Sequence, residues 1–237
     1  MKKEEDYKVV KHNSLVNIKG KYQYSVNQLK LICHLIANIK PTDTNLEMKQ
    51  IAIKDLGFIG EENYHYTYFK EEFVRLLEMP FQIPGTKKWV NWFSCLEYDV
   101  GVIIYRFDPA LKPYLLNLKD NFTSYQLKNI LSLKSVYAIR MYELLKQYEV
   151  AKARTIEIKE LRSLLNISRG YRNNDITKLL ENVKEELTLK TDLTFNFEVF
   201  KKQQKLNEVK FTIQHNKKEN KSLSVKDKLK ILKLENQ

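Results

Sequence analysis

One heptapeptide concentrates side chains able to read a nucleic-acid surface: Ser168-Arg169-Gly170-Tyr171-Arg172-Asn173-Asn174. An arginine fork fits guanine O6/N7 or a phosphate, and an asparagine amide fits adenine N6/N7. Lys178 continues the same face one turn later, and the N-terminus of the helix that follows attracts a phosphate. The plain alternative is a polar loop with a good helix cap. Side chains suited to covalent or metal chemistry are scattered by comparison. The six glycines, at 20, 57, 60, 85, 101 and 170, build neither GxxxxGK[ST] nor GxGxxG. His12, His34, His65 and His215 fall at no metal-ligand spacing, and CxxC, HExxH and GxSxG are missing from the sequence. His34 lies beside the apolar stripe of a helix, where a structural histidine is the simpler reading, and Cys33 and Cys95 suit small buried hydrophobes. A rolling-circle nicking centre needs two histidines flanking a hydrophobic residue, and Tyr64-His65-Tyr66 has one. The sequence gives reason to expect neither an enzyme nor a cofactor or metal.

Those residues need elements to position them. Ser25-Val26-Asn27-Gln28 is a capping-box pattern, and Leu29, Ile32, Cys33 and Ile36 continue it at helical spacing until Pro41. Met48–Ile53 reads as a strand and Glu62–Glu78 as a helix burying Tyr66, Phe69, Phe73, Leu76 and Leu77. β-type segments follow at Phe81–Ile83, Trp89–Leu96 and Gly101–Phe107. Asp108-Pro109 opens a short helix, and Ser132–Tyr148 reads as a long one. Arg154–Ile158 is then a strand, Lys159–Asn166 a short helix and Asn174–Leu189 a longer one. Leu193–Phe200 and Val209–Gln214 alternate as strands joined by the polar loop Lys201–Glu208.

Within this order lies a repeat. Ile51-Ala52-Ile53-Lys54-Asp55-Leu56 recurs as Ile156-Glu157-Ile158-Lys159-Glu160-Leu161, displaced by 105 residues. Around each copy the order is long helix, strand, short helix, longer helix, hairpin. Such a duplication predicts an α+β fold of two tandem winged-helix domains. The second helix of each helix-turn-helix pair then meets the major groove. In the first domain that helix is Glu62–Glu78, and turning Phe69 inward turns Tyr64, Thr67 and Arg75 outward, with Tyr68 close by. The alternative is a solvated helix with a Glu71–Arg75 pair worth only ~0.3–0.5 kcal/mol. The expected wings are Pro84–Lys88 and Lys201–Glu208, offering Lys87, Lys88, Lys201, Lys202 and Lys205 to phosphates.

Composition sets the partner class. The 237 residues carry a formal charge of +12, divided as +2 over 1–120, +3 over 121–200 and +7 over 201–237. A basic excess of this kind favours a polyanion. No apolar run approaches the ~20 residues of a membrane span. Met1-Lys2-Lys3-Glu4-Glu5-Asp6 lacks the apolar run of a signal peptide, and two cysteines make no disulfide framework. A cytoplasmic location and no membrane partner are therefore expected.

Three segments carry a resemblance. They are Asn13-Ser14-Leu15-Val16, then Phe107-Asp108-Pro109-Ala110-Leu111-Lys112-Pro113-Tyr114-Leu115, and Phe122-Thr123-Ser124-Tyr125-Gln126-Leu127 running on to Leu133-Lys134-Ser135-Val136-Tyr137-Ala138-Ile139-Arg140-Met141-Tyr142-Glu143-Leu144-Leu145-Lys146. Over about residues 8–214 the chain resembles the iteron-binding initiators of theta-type plasmid replication. The resemblance implies a monomer that binds origin direct repeats through both domains and helps open the duplex for host replication proteins such as a helicase or initiator. It also implies a dimer, in equilibrium with that monomer, that binds an operator inverted repeat and represses its own gene. Residues 1–120 would form the first domain, with backbone and dimer contacts, residues 121–215 the main sequence-specific domain, and 216–237 a basic tail. Where the family's reading helix begins with an aspartate and an aromatic, Asp175 fits but Ile176 replaces the aromatic. That departure shifts weight to Arg169, Arg172, Asn173 and Asn174. A winged-helix transcription regulator without an initiation role is the alternative.

Overall fold

The computed structural model describes residues 7–56, 71–99, 101–168, 170–202 and 205–216. Strand β1 (Lys8–His12) leads into helix α1 (Asn13–Val16), and helix α2 (Val26–Ala37) follows. The capping box forms as expected: Gln28 N donates to Ser25 Oγ at 3.1 Å and Ser25 N to Gln28 Oε1 at 3.0 Å. Leu29, Ile32, Cys33 and Ile36 are buried. Strand β2 (Lys49–Ala52) runs directly into a 3-10 turn, Ile53–Leu56. Residues 71–78 are helical and bury Phe73 and Leu76. Gln28 Nε2 donates to Glu72 O at 2.7 Å, so the cap of α2 also anchors this helix.

Next come β3 (Phe81–Gln82), β4 (Trp89–Val90), β5 (Phe93–Asp99), β6 (Val102–Phe107), α3 (Lys112–Leu115), β7 (Phe122–Gln126), α4 (Leu127–Leu131) and α5 (Val136–Lys146). The second unit is β8 (Ala153–Glu157), α6 (Ile158–Leu165), α7 (Asn173–Lys190), β9 (Leu193–Lys202) and β10 (Lys205–His215). The duplication is explicit in the sheets, whose orders are β2-β6-β5 and β8-β10-β9. Each first strand pairs with the last strand of its hairpin, Ile51 opposite Ile103 and Ile156 opposite Val209. Leu56 and Leu161, the last residues of the repeat, are fully buried. The fold is α+β, two tandem winged-helix units.

The symmetry corrects the first wing. Its counterpart of β9–β10 is the β5–β6 hairpin, so Pro84–Lys88 joins a separate small hairpin, β3–β4. The expected strand Trp89–Leu96 accordingly breaks at Asn91-Trp92. Trp92 turns inward, donating from Nε1 to Tyr24 Oη at 3.2 Å and lying 5.0 Å from the Phe81 ring. Asp108 N donates to Trp92 O at 3.1 Å and fixes the break. The second wing also differs. Instead of a loop over Lys201–Glu208, the strands continue, with Lys205 opposite Lys202 and Leu206 opposite Lys201 before a register shift near Asn207. Polar composition does not stop a ribbon whose backbone groups pair with each other; glycine or proline does, and residues 193–215 contain neither.

Two other expectations shift. The helix expected from Ser132 begins at Val136, because Ala138 N donates to Ser135 Oγ at 3.4 Å and makes Ser135 its cap. Residue 120 precedes β7, which pairs with β1 over five residues from Lys8 opposite Gln126 to His12 opposite Phe122. That pairing is locked by a buried carboxylate. Glu143 on α5, 1% exposed, receives Lys11 Nζ at 2.5 Å and Arg140 at 3.0 Å, and accepts from the Tyr125 hydroxyl. Burial alone would raise the Glu143 carboxyl, but Lys11 and Arg140 hold it below its ordinary value.

Removing that charge leaves Lys11 buried without its counter-ion, so Glu143→Ala is expected to lower stability by about 3–5 kcal/mol in urea unfolding. His34 gives a pH-dependent test. Burial lowers its imidazole from 6.5 to about 4. Above pH 6.5 neither state takes a proton, whereas between 6.5 and 4 the unfolded chain binds one that the folded chain refuses. Stability should therefore decline over that window in the wild type, and the decline should be shallower in His34→Gln, as read from urea midpoints.

Candidate nucleic-acid interface

The helix-turn-helix of the second unit is α6, a turn and α7. Helix α6 ends on Asn166 in the left-handed conformation, φ 53°, and Ile167 N donates back to Arg162 O at 2.8 Å. The turn is then braced from inside α6. Arg162 donates from Nη1 to Ser168 O at 3.1 Å and from Nη2 to Tyr171 O at 2.5 Å. Arg172 N donates to Asp175 Oδ2 at 2.7 Å, which satisfies one free amide at the start of α7. Ile176, Leu180, Val183 and Leu187 bury the other face, so the turn and helix present a fixed surface.

On that surface Arg172 is 89% exposed, with its Nε 3.7 Å from Asp175. Asn174 and Lys178 are exposed, and so are Glu181 and Glu185 further along, which leaves the first two turns as the basic part. Tyr171 behaves differently from its neighbours. It is half-buried against the core and hydrogen-bonds Tyr137, whose hydroxyl is held above its ordinary value by burial and by that bond. Its structural role is to seat the turn. Asn173 opens α7 as a backbone position. Arg169 lies outside the described residues.

Of the reading helix expected in the first unit, Glu62–Glu78, only residues 71–78 are described. Tyr64, Thr67 and Tyr68 lie outside the described residues. Arg75 is exposed and opens the 3-10 turn Arg75–Glu78 that closes this segment. Lys87 and Lys88 are exposed on the β3–β4 turn, where Gly85 takes φ 79°. Lys201 and Lys202 are exposed at the end of β9, and Lys205 begins β10.

Other sites are accounted for by structure. Cys33 is buried, with its thiol pushed up to about 12 by burial, and neither it nor half-buried Cys95 is in a disulfide. Glu149, Asp192 and His215 bring ligand atoms within 4.8 Å of one another, a grouping that sequence spacing hid. Lys146 Nζ already sits there, 2.8 Å from Glu149 and 2.9 Å from Asp192. Sequence reading also missed Arg162 and the strap between α1 and α2. Arg140 Nη2 donates to Val16 O at 2.8 Å and Ile18 O at 3.1 Å, while Gly20 N donates to Ser163 O at 3.2 Å. A Cβ on Gly20 would meet Asn166 Cβ at 3.1 Å, so glycine permits the strap to lie against the end of α6. The glycine was visible; its partner, over a hundred positions away, was not.

Comparison with known proteins places this architecture. The family model described as "Initiator Replication protein, WH1" matches residues 8–146, and "Initiator Rep protein, WH2" matches residues 157–213. No curated protein matches in sequence. Among solved structures, the Pi initiator protein in complex with iteron DNA superposes with a TM-score of 0.71 at 19% identity, covering 90% of this chain and 99% of that one. At that identity the likeness is one of fold.

The brace gives a test that needs no ligand. Arg162→Ala should accelerate amide hydrogen exchange around Tyr171 and Arg172 by about tenfold or more. Loss of these charged hydrogen bonds should cost global stability about 1–3 kcal/mol at most, because the turn is largely solvated.

Proposed function

The chain belongs to the initiator replication protein family, and from that premise we propose that it initiates plasmid replication by binding iterons, short direct repeats in the duplex DNA of an origin. The observation that carries the reading is the start of α7: Arg172, Asn174 and Lys178 stand exposed on a helix-turn-helix whose turn is fixed by Arg162. A helix presented in this way suits the major groove, where arginine and asparagine distinguish base pairs and lysine holds phosphate. The exposed lysines at the end of β9 suit the adjoining backbone.

In the fuller form of the proposal, the monomer binds the repeats through both units and helps open the neighbouring duplex for a host helicase or initiator. A dimer held through the first unit binds an inverted repeat and represses the chain's own gene. The protein acts by binding, without a covalent step of its own, in the cytoplasm; among the described residues no helix is long and apolar enough to cross a membrane. The second reading is a winged-helix regulator that represses without initiating, since the same surface of α7 serves either task.

Footprinting on the DNA upstream of its own gene separates the two. Protection of several direct repeats is the expected result, a lone palindrome would favour the regulator, and indifference between that DNA and random duplex would remove the proposal. Arg172→Ala should cost about 1–3 kcal/mol of affinity and flatten the ranking of iteron variants. An unaltered ranking in competition binding would deny Arg172 a base-reading role.

A further inference from the structure

The β3–β4 hairpin of the first unit has no counterpart in the second. In the second unit only Thr191 and Asp192 separate α7 from β9, whereas the first unit inserts a whole hairpin at the equivalent point. Phe81 and Val90 anchor it on the core, and Ile83 N closes its turn by donating to Lys88 O at 3.0 Å. Its outer face carries Trp89, 57% exposed. Burying Phe81 and Val90 suffices to hold the hairpin down, so packing does not account for a large indole left in water.

Beside this hairpin runs the strap of α1–α2, pinned by Arg140 at Ile18 and by Ser163 at Gly20. Pinning the alternate residues turns Lys19 and Lys21 out to solvent on either side of the glycine. Between strap and hairpin lies an open groove of about 510 Å³ lined by Lys19, Lys21, Lys87, Trp89 and the turn around Gly85. Among the described residues lining it there is no carboxylate. Like charges held on two separate segments, with no acid to neutralise them, repel one another and gain from a shared anion.

We propose that this groove is a sugar–phosphate binding site for duplex DNA, with Lys19, Lys21 and Lys87 on phosphates and the Trp89 indole against deoxyribose at the groove edge. The proposal rests on the duplex-binding reading above and adds a contact to it. Duplex backbone is favoured because the strap is bonded to α6, the first helix of the helix-turn-helix. A contact carried by that strap is therefore held in fixed relation to the reading helix. It supplies affinity with no sequence preference.

The experiment uses the full chain and two duplexes, one with the footprinted repeats and one scrambled. The slope of log K against log salt should shrink by ~0.9 for each lysine removed, so Lys19→Ala/Lys21→Ala should lose about 1.8 with the preference for repeats unchanged. Both lysines are exposed, and an unaltered unfolding temperature will show that the variant is folded. Trp92 is buried, so acrylamide quenching in the free protein reports on Trp89, and the repeat duplex should protect it; Trp89→Phe should abolish that change. Preferential binding of repeats with an unchanged slope and a Trp89 that stays quenchable would overturn the groove while leaving the iteron reading intact. Protection of Trp89 by a single strand but not by duplex would overturn the duplex assignment. Absence of any preference for repeats in the wild type would instead defeat the underlying reading.

Discussion

A carboxylate that cannot reach water holds the first half of this molecule together. Glu143 lies inside the core, and an ion in that position is tolerable only if its oxygens are fully engaged. Lys11 from β1, Arg140 from its own helix and Tyr125 from β7 engage them, and the Cys33 thiol of α2 stands 3.7 Å away. Four elements therefore meet at one residue. Replacing such a set by apolar groups is often neutral for stability, whereas a buried charge penalises any arrangement that leaves it without its partners. Here that arrangement fixes the register of β1 against β7 and the seat of α5 beneath them. Arg140 extends the constraint outward by bonding the strap carbonyls, and the strap in turn rests on α6.

Much of this was legible in the chain because it is written locally. The capping box at Ser25, the apolar spacing of α2 and the six-residue repeat each depend on neighbours within a few positions. The repeat fixed the architecture, since two copies of one element order leave few ways to fold. The outward residues of α7 also followed from periodicity once Ile176, Leu180 and Leu187 were placed inside. Tyr171, by contrast, looked like an interface aromatic among polar neighbours, and only the packing of α5 against the turn gives it Tyr137 as a partner.

What sequence hid was pairing at a distance. A break at Asn91-Trp92 could not be foreseen, because Tyr24 and Asp108 cause it from far along the chain. The lysines of Lys201–Glu208 looked like a loop because charge and strand content were read as opposites, yet a two-stranded ribbon exposed on both faces accepts lysine freely. Arg140, Tyr142 and Glu143, the densest part of the family pattern, are interior structural groups. Tyr142 accepts from Asn129 at 3.0 Å and donates to Asp192 at 2.9 Å. The segment that carries the family pattern thus lies in the scaffold, away from the exposed start of α7.

The bond between Lys11 and Glu143 also sets an order of events during synthesis. Lys11 leaves the ribosome while its counter-ion is still unmade, and at elongation rates of ~5–20 residues per second the wait is on the order of ten seconds. For most of it β1 lacks its β7 neighbour, and for all of it the acid that neutralises its lysine, so the strand has no complete interior place. The nascent first half must stay open at its amino-terminal edge until α5 has emerged. The first half is complete only when a helix from the middle of the chain meets the strand that began it.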